Sequence, residues 1–390
     1  MFDLARLRAE TPATQTIIHF NNAGAALMPD AVYNAQADHL ALERRVGGYE
    51  AARLAAPQLT AFYTEFAALL NCDPKEIAYT ENATRAWDMA FYALPLQQGD
   101  RILTHITEYV SNYLAFLHQA KRRGLHIDVV PSDATGQIDI QALDAMVTPA
   151  HKLIAITHVP SQSGLVNPAA AVGAIARKHD LIYLLDACQS VGQVAIDVQE
   201  IGCHILSGTG RKFLRGPRGT GFLYVSNTIV DTLDPPFIDL TAAQWTDDHT
   251  YTLAPGAMRF ENWESNVAGR IGLTAAVSYA RAIGMGSIAG RTATLAQTLR
   301  DALITIPGVT VHDQGQQKCG IVTFTKRGVL PETIYTTLRD AQINVSVTPL
   351  TYARLDLGAR GLAAVVRASV HYYNDEAEVD RFIAALRRIG

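Results

Sequence analysis

Short apolar runs alternate with amphipathic stretches through the first half of the chain. Between about residues 76 and 225 the apolar runs read "EIAYT", "DRILTH", "HIDVV", "KLIAITHV", "LIYLLDA", "HILSG" and "GFLYV". Among them lie "VSNYLAFLHQAKRRG", "DIQALDAMV" and "PAAAVGAIARKHD", whose apolar residues recur three and four apart. The runs predict strands and the amphipathic stretches predict helices. Strand and helix alternating at this length predict an α/β fold with a mostly parallel sheet covered on both faces. The near-continuous apolar character of "LIYLLDA" fits a strand buried on both sides.

After about residue 265 the texture changes. Two long helical patterns, "VAGRIGLTAAVSYARAIG" and "SIAGRTATLAQTLRDALITI", lead into "VTVHD", "CGIVTFT", a helix "PETIYTTLRDAQ", "INVSVT", "VVRASVHYY" and a last helix "DEAEVDRFIAALRRI". This predicts a small α+β domain behind a helical connector. The expected division is an N-terminal arm over 1–20, a large domain over 21–265, and the connector with a small C-terminal domain over 266–390.

A length of 390 residues suits one large and one smaller domain. The formal charge of −4 gives no ground for a nucleic acid or an anionic membrane as partner. The basic, glycine-rich stretch "SGTGRKFLRGPRGTG" (Ser207–Gly221) therefore needs a local explanation for Arg211, Lys212, Arg215 and Arg218. The cysteines, Cys72, Cys188, Cys203 and Cys319, form no CxxC pair. That argues against a disulfide framework or a zinc site and suits a reducing compartment. The histidines form no HExxH pair, so no metal is expected. No stretch approaches about 20 consecutive apolar residues and the first residues lack a signal-peptide pattern, so the expected location is the cytoplasm.

Asp186 ends the strongly apolar "LIYLLD", where a carboxylate needs a partner. It serves either as a structural cap or as a ligand group at the carboxyl end of a strand. Lys212 follows one helix and one strand later, in the turn after "HILSG", so both can reach the same sheet edge. There a lysine is either a solvated loop residue or the Schiff-base partner of a carbonyl cofactor, with the carboxylate facing a pyridinium. In "AYTENATRAWDMAFYALP", Asn82, Ala83 and Thr84 open a helix; they cap it or offer its free N–H groups to a phosphate. The glycine patterns fit neither GxGxxG nor the P-loop, and no GxSxG elbow is present.

In order, these pieces resemble the class V aminotransferase and cysteine desulfurase-like family of pyridoxal-phosphate enzymes of fold type I. "IIHFNNAGAALMP", "TENATRA", "THVPSQSGLVNP", "LLDACQSVGQVAIDV", "SGTGRKFLRGPRGTGFLYV" and "VVRASVHYYNDEAEVDRFIAAL" carry the likeness nearly end to end. It implies a large mostly parallel sheet domain with a small C-terminal domain, pyridoxal 5'-phosphate as cofactor, and a homodimer with shared sites. It assigns Lys212 as the Schiff-base lysine and proton shuttle, Asp186 to the pyridine nitrogen and Gln189 to the phenolic oxygen. Ala83, Thr84 and Thr209 would hold the phosphate, Tyr109 would stack on the ring, and Ser161 would make a further contact. Arg367 would fork the substrate carboxylate, with Asn22 and Ala23 beside it. The partner subunit's contribution is expected from the segment equivalent to Arg259–Arg270.

The departures carry information too. Tyr109 stands where the family usually has histidine, Arg211 also replaces a frequent histidine, and Ser161 replaces asparagine. Cysteine desulfurases carry a nucleophilic cysteine shortly before the carboxylate arginine, and "INVSVTPLTYARLDLGARGLAAVVR" has none. Cys188 lies within the strand-end motif, where a small buried residue is expected. "VGGYEAA" and the lysine loop are similar to the sulfoxide lyases of ergothioneine biosynthesis. The expected activity is thus carbon–sulfur β-elimination, with aminotransfer or epimerisation of the isopenicillin N type as alternatives.

Overall fold

Each apolar run of the first half forms a strand in the computed structural model, which describes residues 2–390. The strands are β1 (Ile77–Thr80), β2 (Arg101–His105), β3 (His126–Val130), β4 (His151–Thr157), β5 (Ile182–Asp186), β6 (Ile205–Thr209) and β7 (Gly221–Val225). They lie in the order β1-β7-β6-β5-β4-β2-β3, and only β7 runs antiparallel to its neighbours. Alternate side chains leave opposite faces of a strand, and both faces here are buried. Leu184 joins Leu153, Ile205, Leu223 and Trp87 on one side. Tyr183 and Leu185 join Ile154, Leu206, Phe222 and Phe66 on the other. That explains the unbroken apolar run of β5.

The register levels the ends of the central strands. Asp186 pairs with Thr157 of β4 and with Ser207 of β6. The loops that follow, carrying Ser161, Gln189 and Lys212, therefore emerge at one edge. Helix α1 (Ala83–Ala93) starts directly after β1, with the Asn82 side chain accepting the Arg85 N–H at 2.9 Å. Helix α2 (Val110–Arg123) follows β2. Their N-termini thus lie at the same edge of the sheet.

The two long helices serve different bodies. Helix α3 (Val267–Ile283) buries Leu273, Ala276 and Val277 in the large-sheet core. Helix α4 (Met285–Ile304) buries Leu295, Ala296, Leu299 and Leu303 in the core of the small domain. Gly284 between them has φ +94°, a turn that side chains resist. The small sheet comprises β8 (Val309–Val311), β9 (Ile321–Lys326), β10 (Ser346–Pro349) and β11 (Ala364–Ser369) in the antiparallel order β8-β9-β11-β10.

Other features carried no clear pattern in the sequence. Ile18–His19 pairs in parallel with Ile343–Asn344, and Ile18 and Phe20 enter the small-domain core. The segment beginning at residue 18 is thereby fastened to the C-terminal part of the chain. Two helices, Asp30–Val46 and Ala56–Leu70, precede the large sheet. A hairpin of Ala243–Asp247 and Thr250–Leu253 stands outward, with Trp245 and Tyr251 exposed.

Candidate active site

Asp186 lies at the end of β5, buried, with both carboxylate oxygens hydrogen-bonded. Its Oδ1 accepts the Cys188 N–H at 2.8 Å and its Oδ2 accepts the Asn112 amide at 2.9 Å. Two such donors make a buried carboxylate tolerable. Lys212 is also buried, in the turn after β6, where its carbonyl accepts the Arg215 N–H at 2.9 Å. Its Nζ lies 5.9 Å from the centre of the Tyr109 ring. Burial pulls the Lys212 ammonium below the ordinary lysine range, and Arg211 and Arg367 act in the same sense against Asp186. A lysine so placed gives up its proton more readily than one in water.

Ala83 opens α1 with backbone N–H groups that lie before the helical hydrogen-bond pattern begins. This helix start sits close to the sheet because Gly221 is a glycine. A Cβ there would come within 2.8 Å of the Asn82 backbone and of the Gly208 carbonyl. The Thr209 hydroxyl donates to the Thr220 carbonyl at 3.2 Å and accepts from Arg211 at 3.4 Å. Thr84 is exposed. Helix dipole, hydroxyls and Arg211 together make this corner favourable to an anion.

Arg367 projects from β11 with its guanidinium buried. Its nitrogens reach the Ser161 carbonyl at 3.2 Å and the Asn21 side chain at 3.3 Å, while Nε is buried with no partner. Burial, then the neighbouring charge of Arg211, lowers its pKa to about 10. Gln189 donates to the Ala23 carbonyl at 3.0 Å, and its Oε1 is buried without a partner. Asn22 is fully buried. Its amide donates to the Ser369 carbonyl at 2.7 Å, and its oxygen accepts the Tyr373 hydroxyl. The neighbouring Asn21, rather than Asn22, is the side chain that meets Arg367. Ala23 contributes backbone, its N–H bonding Ser369 at 2.9 Å.

The four positive charges of the lysine loop separate in space. Arg218 is exposed and Arg211 is half-buried beside Thr209. Arg215 points away from Lys212 into the protein, at φ +62°. It donates to the Leu27 carbonyl at 2.7 Å, the Tyr372 hydroxyl at 2.6 Å and the Thr11 hydroxyl at 2.6 Å. Its guanidinium also stacks 4.3 Å from the Tyr373 ring centre. Arg215 therefore ties the loop to both ends of the chain.

Sequence reasoning passed over Asn21, Glu108 and Asn112. For the last two a signal existed: they stand four apart at a helix start, the spacing at which side chains meet. A cavity of about 750 Å³ between the outer sides of α1 and α2, lined by Arg85, His118 and Arg122, includes none of the residues above.

A buried lysine faces a strand-end carboxylate, an anion-ready corner lies beside them, and Gln189 and Arg367 hold unused buried polar atoms. These features fit a pyridine ring bearing an aldehyde and a phosphate, and the architecture is that of a pyridoxal-phosphate enzyme of fold type I. The family model for aminotransferase class-V matches residues 18–382, and the chain belongs to that family. A protein of Xylella fastidiosa (strain 9a5c) named "Probable cysteine desulfurase" is 32% identical over 99% of this chain and 95% of its own. The solved apo cysteine desulfurase of Thermococcus onnurineus NA1 superposes with a TM-score of 0.92 at 26% identity, covering 98% of this chain and 97% of that one. A cysteine desulfurase of Escherichia coli gives 0.91, also at 26% identity, over 100% and 98%.

Proposed function

We propose that this enzyme is a carbon–sulfur β-lyase that removes the α-proton of a sulfur-bearing amino acid and expels the sulfur substituent without an enzyme thiol. The observation that carries this is the stretch ahead of Arg367. It contains no cysteine and, between β10 and β11, forms a short helix, α5 (Arg354–Ala359), with Asp356 buried and paired to Arg360 at 3.2 Å. The thiol nearest the site, Cys188, is pushed up to about 12 by burial and by Asp186, so it stays protonated. The buried Cys319 is likewise pushed up to about 12. A protonated thiol is a poor nucleophile.

Pyridoxal phosphate supplies an aldehyde for amines and a ring that takes up the electron pair released at the α-carbon. Lys212 would hold the aldehyde, and its Nζ, freed when the substrate amine takes its place, would take the α-proton. Asp186 would hold a proton on the ring nitrogen, Tyr109 would stack on the ring, and Gln189 would offer its second amide N–H to the phenolic oxygen. The Ala83 N–H, the Thr84 and Thr209 hydroxyls and Arg211 would hold the phosphate. Arg367 fixes the substrate carboxylate, with Asn21 and the Ser161 carbonyl steadying its fork. The Ala23 carbonyl braces Gln189, and Asn22 anchors that backbone to Ser369. In the overall elimination the Cα–H and Cβ–S bonds break, a Cα=Cβ bond forms, and sulfur leaves with the electron pair and takes a proton, as a thiol from a thioether, a persulfide from a disulfide or a sulfenic acid from a sulfoxide. Hydrolysis of the remaining fragment gives pyruvate and ammonia.

We further infer a cytoplasmic homodimer with shared sites. Exposed Phe237, Leu240, Trp245, Tyr251 and Trp263 gather in one segment, more apolar surface than scattered exposure accounts for. Within Arg259–Arg270 both end arginines are engaged by their own chain, Arg259 with Asp231 at 2.8 Å and Arg270 with the Leu59 carbonyl at 3.1 Å. That leaves Trp263, Glu264 and Asn266 as the outward part of the segment.

Incubating the cofactor-loaded protein with cysteine, cystine, cysteine conjugates and sulfoxides tests the activity. Pyruvate and ammonia without any keto-acid requirement are expected. Keto-acid-dependent nitrogen transfer would replace the proposal with aminotransfer, and loss of optical rotation alone would replace it with epimerisation. Lys212→Ala should lose both the visible cofactor absorbance and turnover.

A further inference from the structure

Glu108 is buried directly behind the site, and no step above employs it. Its Oε1 accepts three donors: the Thr157 hydroxyl, the Asn112 amide at 2.8 Å and the Tyr109 N–H at 2.8 Å. The Thr104 hydroxyl reaches Oε2 at 3.3 Å. The same Asn112 nitrogen gives its other hydrogen to Asp186 at 2.9 Å. Two buried carboxyl groups therefore share one amide nitrogen. We infer that Glu108 is a positioning residue whose proton sets, through Asn112, the negative charge that Asp186 presents to the cofactor ring.

Like charges this close in a water-poor interior oppose each other's ionisation. With Asp186 charged, Glu108 keeps its proton and the Asn112 hydrogen strengthens toward Asp186. When Glu108 ionises, a second negative charge stands behind Asp186 and holds the ring proton more firmly. The other ionisable groups around the pair are few. His105 ends β2 with its nitrogens on Thr107 and Ser132, and burial holds it at about 4. His158, after β4, is held at about 4 for the same reason. Cys188 lies beside Asp186 at about 12, and Lys212 lies across the Tyr109 ring. Burial, then Asp186, drives Glu108 up to about 7. Of Glu108, His105, His158 and Cys188, Glu108 is the one placed near neutrality.

The inference rests on Asp186 facing the ring nitrogen as proposed above, and absorbance separates the two. The visible spectrum of the cofactor-loaded protein is followed across pH for the wild type, Glu108→Gln and Asn112→Ala. Losing the second negative charge should lower the midpoint of the spectral transition by about one pH unit in Glu108→Gln. Asn112→Ala, which leaves the Asp186 carboxylate without that donor and so more basic toward the ring proton, should move it in the opposite direction, upward. A midpoint unchanged within about 0.2 unit in Glu108→Gln overturns the inference, because packing alone would alter stability and leave the midpoint in place. Should Glu108→Gln fail to fold, infrared difference spectra of the wild type decide. A protonated-carboxyl band that disappears as pH rises through neutrality supports the inference, and its absence overturns it. A wild type with no visible cofactor band would sink the cofactor assignment instead, and the infrared result would still judge Glu108.

Discussion

Arg215 and Arg367 are two buried guanidinium groups near the same lysine, and their surroundings differ in one respect. Arg215 is 1% exposed, and the Leu27 carbonyl and the hydroxyls of Thr11 and Tyr372 take its hydrogens. Arg367 is 8% exposed, rests on two longer contacts, and keeps Nε buried and unpaired. Folding must offset the desolvation of both groups. Around Arg215 the chain does so from its own atoms. Around Arg367 the balance is left open, and a substrate carboxylate would complete it. The fully satisfied guanidinium belongs to the architecture, while the incompletely satisfied one leaves hydrogen-bonding capacity that calls for a further partner.

Substituting each arginine separates the two environments, and the largest effect on folding is expected at Arg215. Arg215→Ala strands two buried hydroxyls and the Leu27 carbonyl, removes the stack on Tyr373, and should destabilise by roughly 3–5 kcal/mol. Denaturant unfolding would read this as a lower midpoint at constant slope. Arg367→Ala should leave that midpoint within about 1 kcal/mol, since it relieves a buried charge, while raising KM for the amino acid about 100-fold. If Arg367→Ala unfolds the protein as readily as Arg215→Ala, the contrast between them fails.

The next effect lies at Glu108 and depends on pH. Its carboxyl is raised in the folded state to about 7 from an ordinary value of 4.5. Its contribution is therefore fully present below the unfolded value and is lost as pH rises through about 7. The loss is about 3 kcal/mol. Unfolding midpoints measured between pH 4 and 8 should fall more steeply for the wild type than for Glu108→Gln. Equal slopes would show that Glu108 does not titrate in this window. The smallest effect is expected at Cys188, whose thiol plays no part in the elimination. Cys188→Ala should keep turnover within about twofold, and a large loss would return a thiol to the chemistry.

What was legible in the sequence follows from the range of each interaction. The strands of the large sheet were readable because burial on both faces leaves a local trace, as in "LIYLLDA". Lys212 and Asp186 were readable as a pair because a parallel sheet brings successive strand ends to one edge. The setting of Arg215 was not readable. Its partners come from residues 11, 27, 372 and 373, and no periodicity relates them to the glycine-rich turn. The same holds for the Ile18–His19 strand, whose partner lies at Ile343–Asn344. Glu108 and Asn112 fall between, with spacing that hinted at contact while Asp186, the third member, lies far along the chain.

The sequence by itself determined the layered α/β architecture, the lysine on its glycine-rich turn, the arginine of the last strand and the lack of a cysteine before it. These depend on residue type and local periodicity, which survive in one dimension. Only the tertiary structure decided which of the four positive charges in the lysine loop face the site. It also decided that Asn21 rather than Asn22 meets Arg367, and that a second carboxyl stands behind Asp186. Those outcomes depend on which distant segments close around a buried polar atom and which of its hydrogen bonds they leave unfilled.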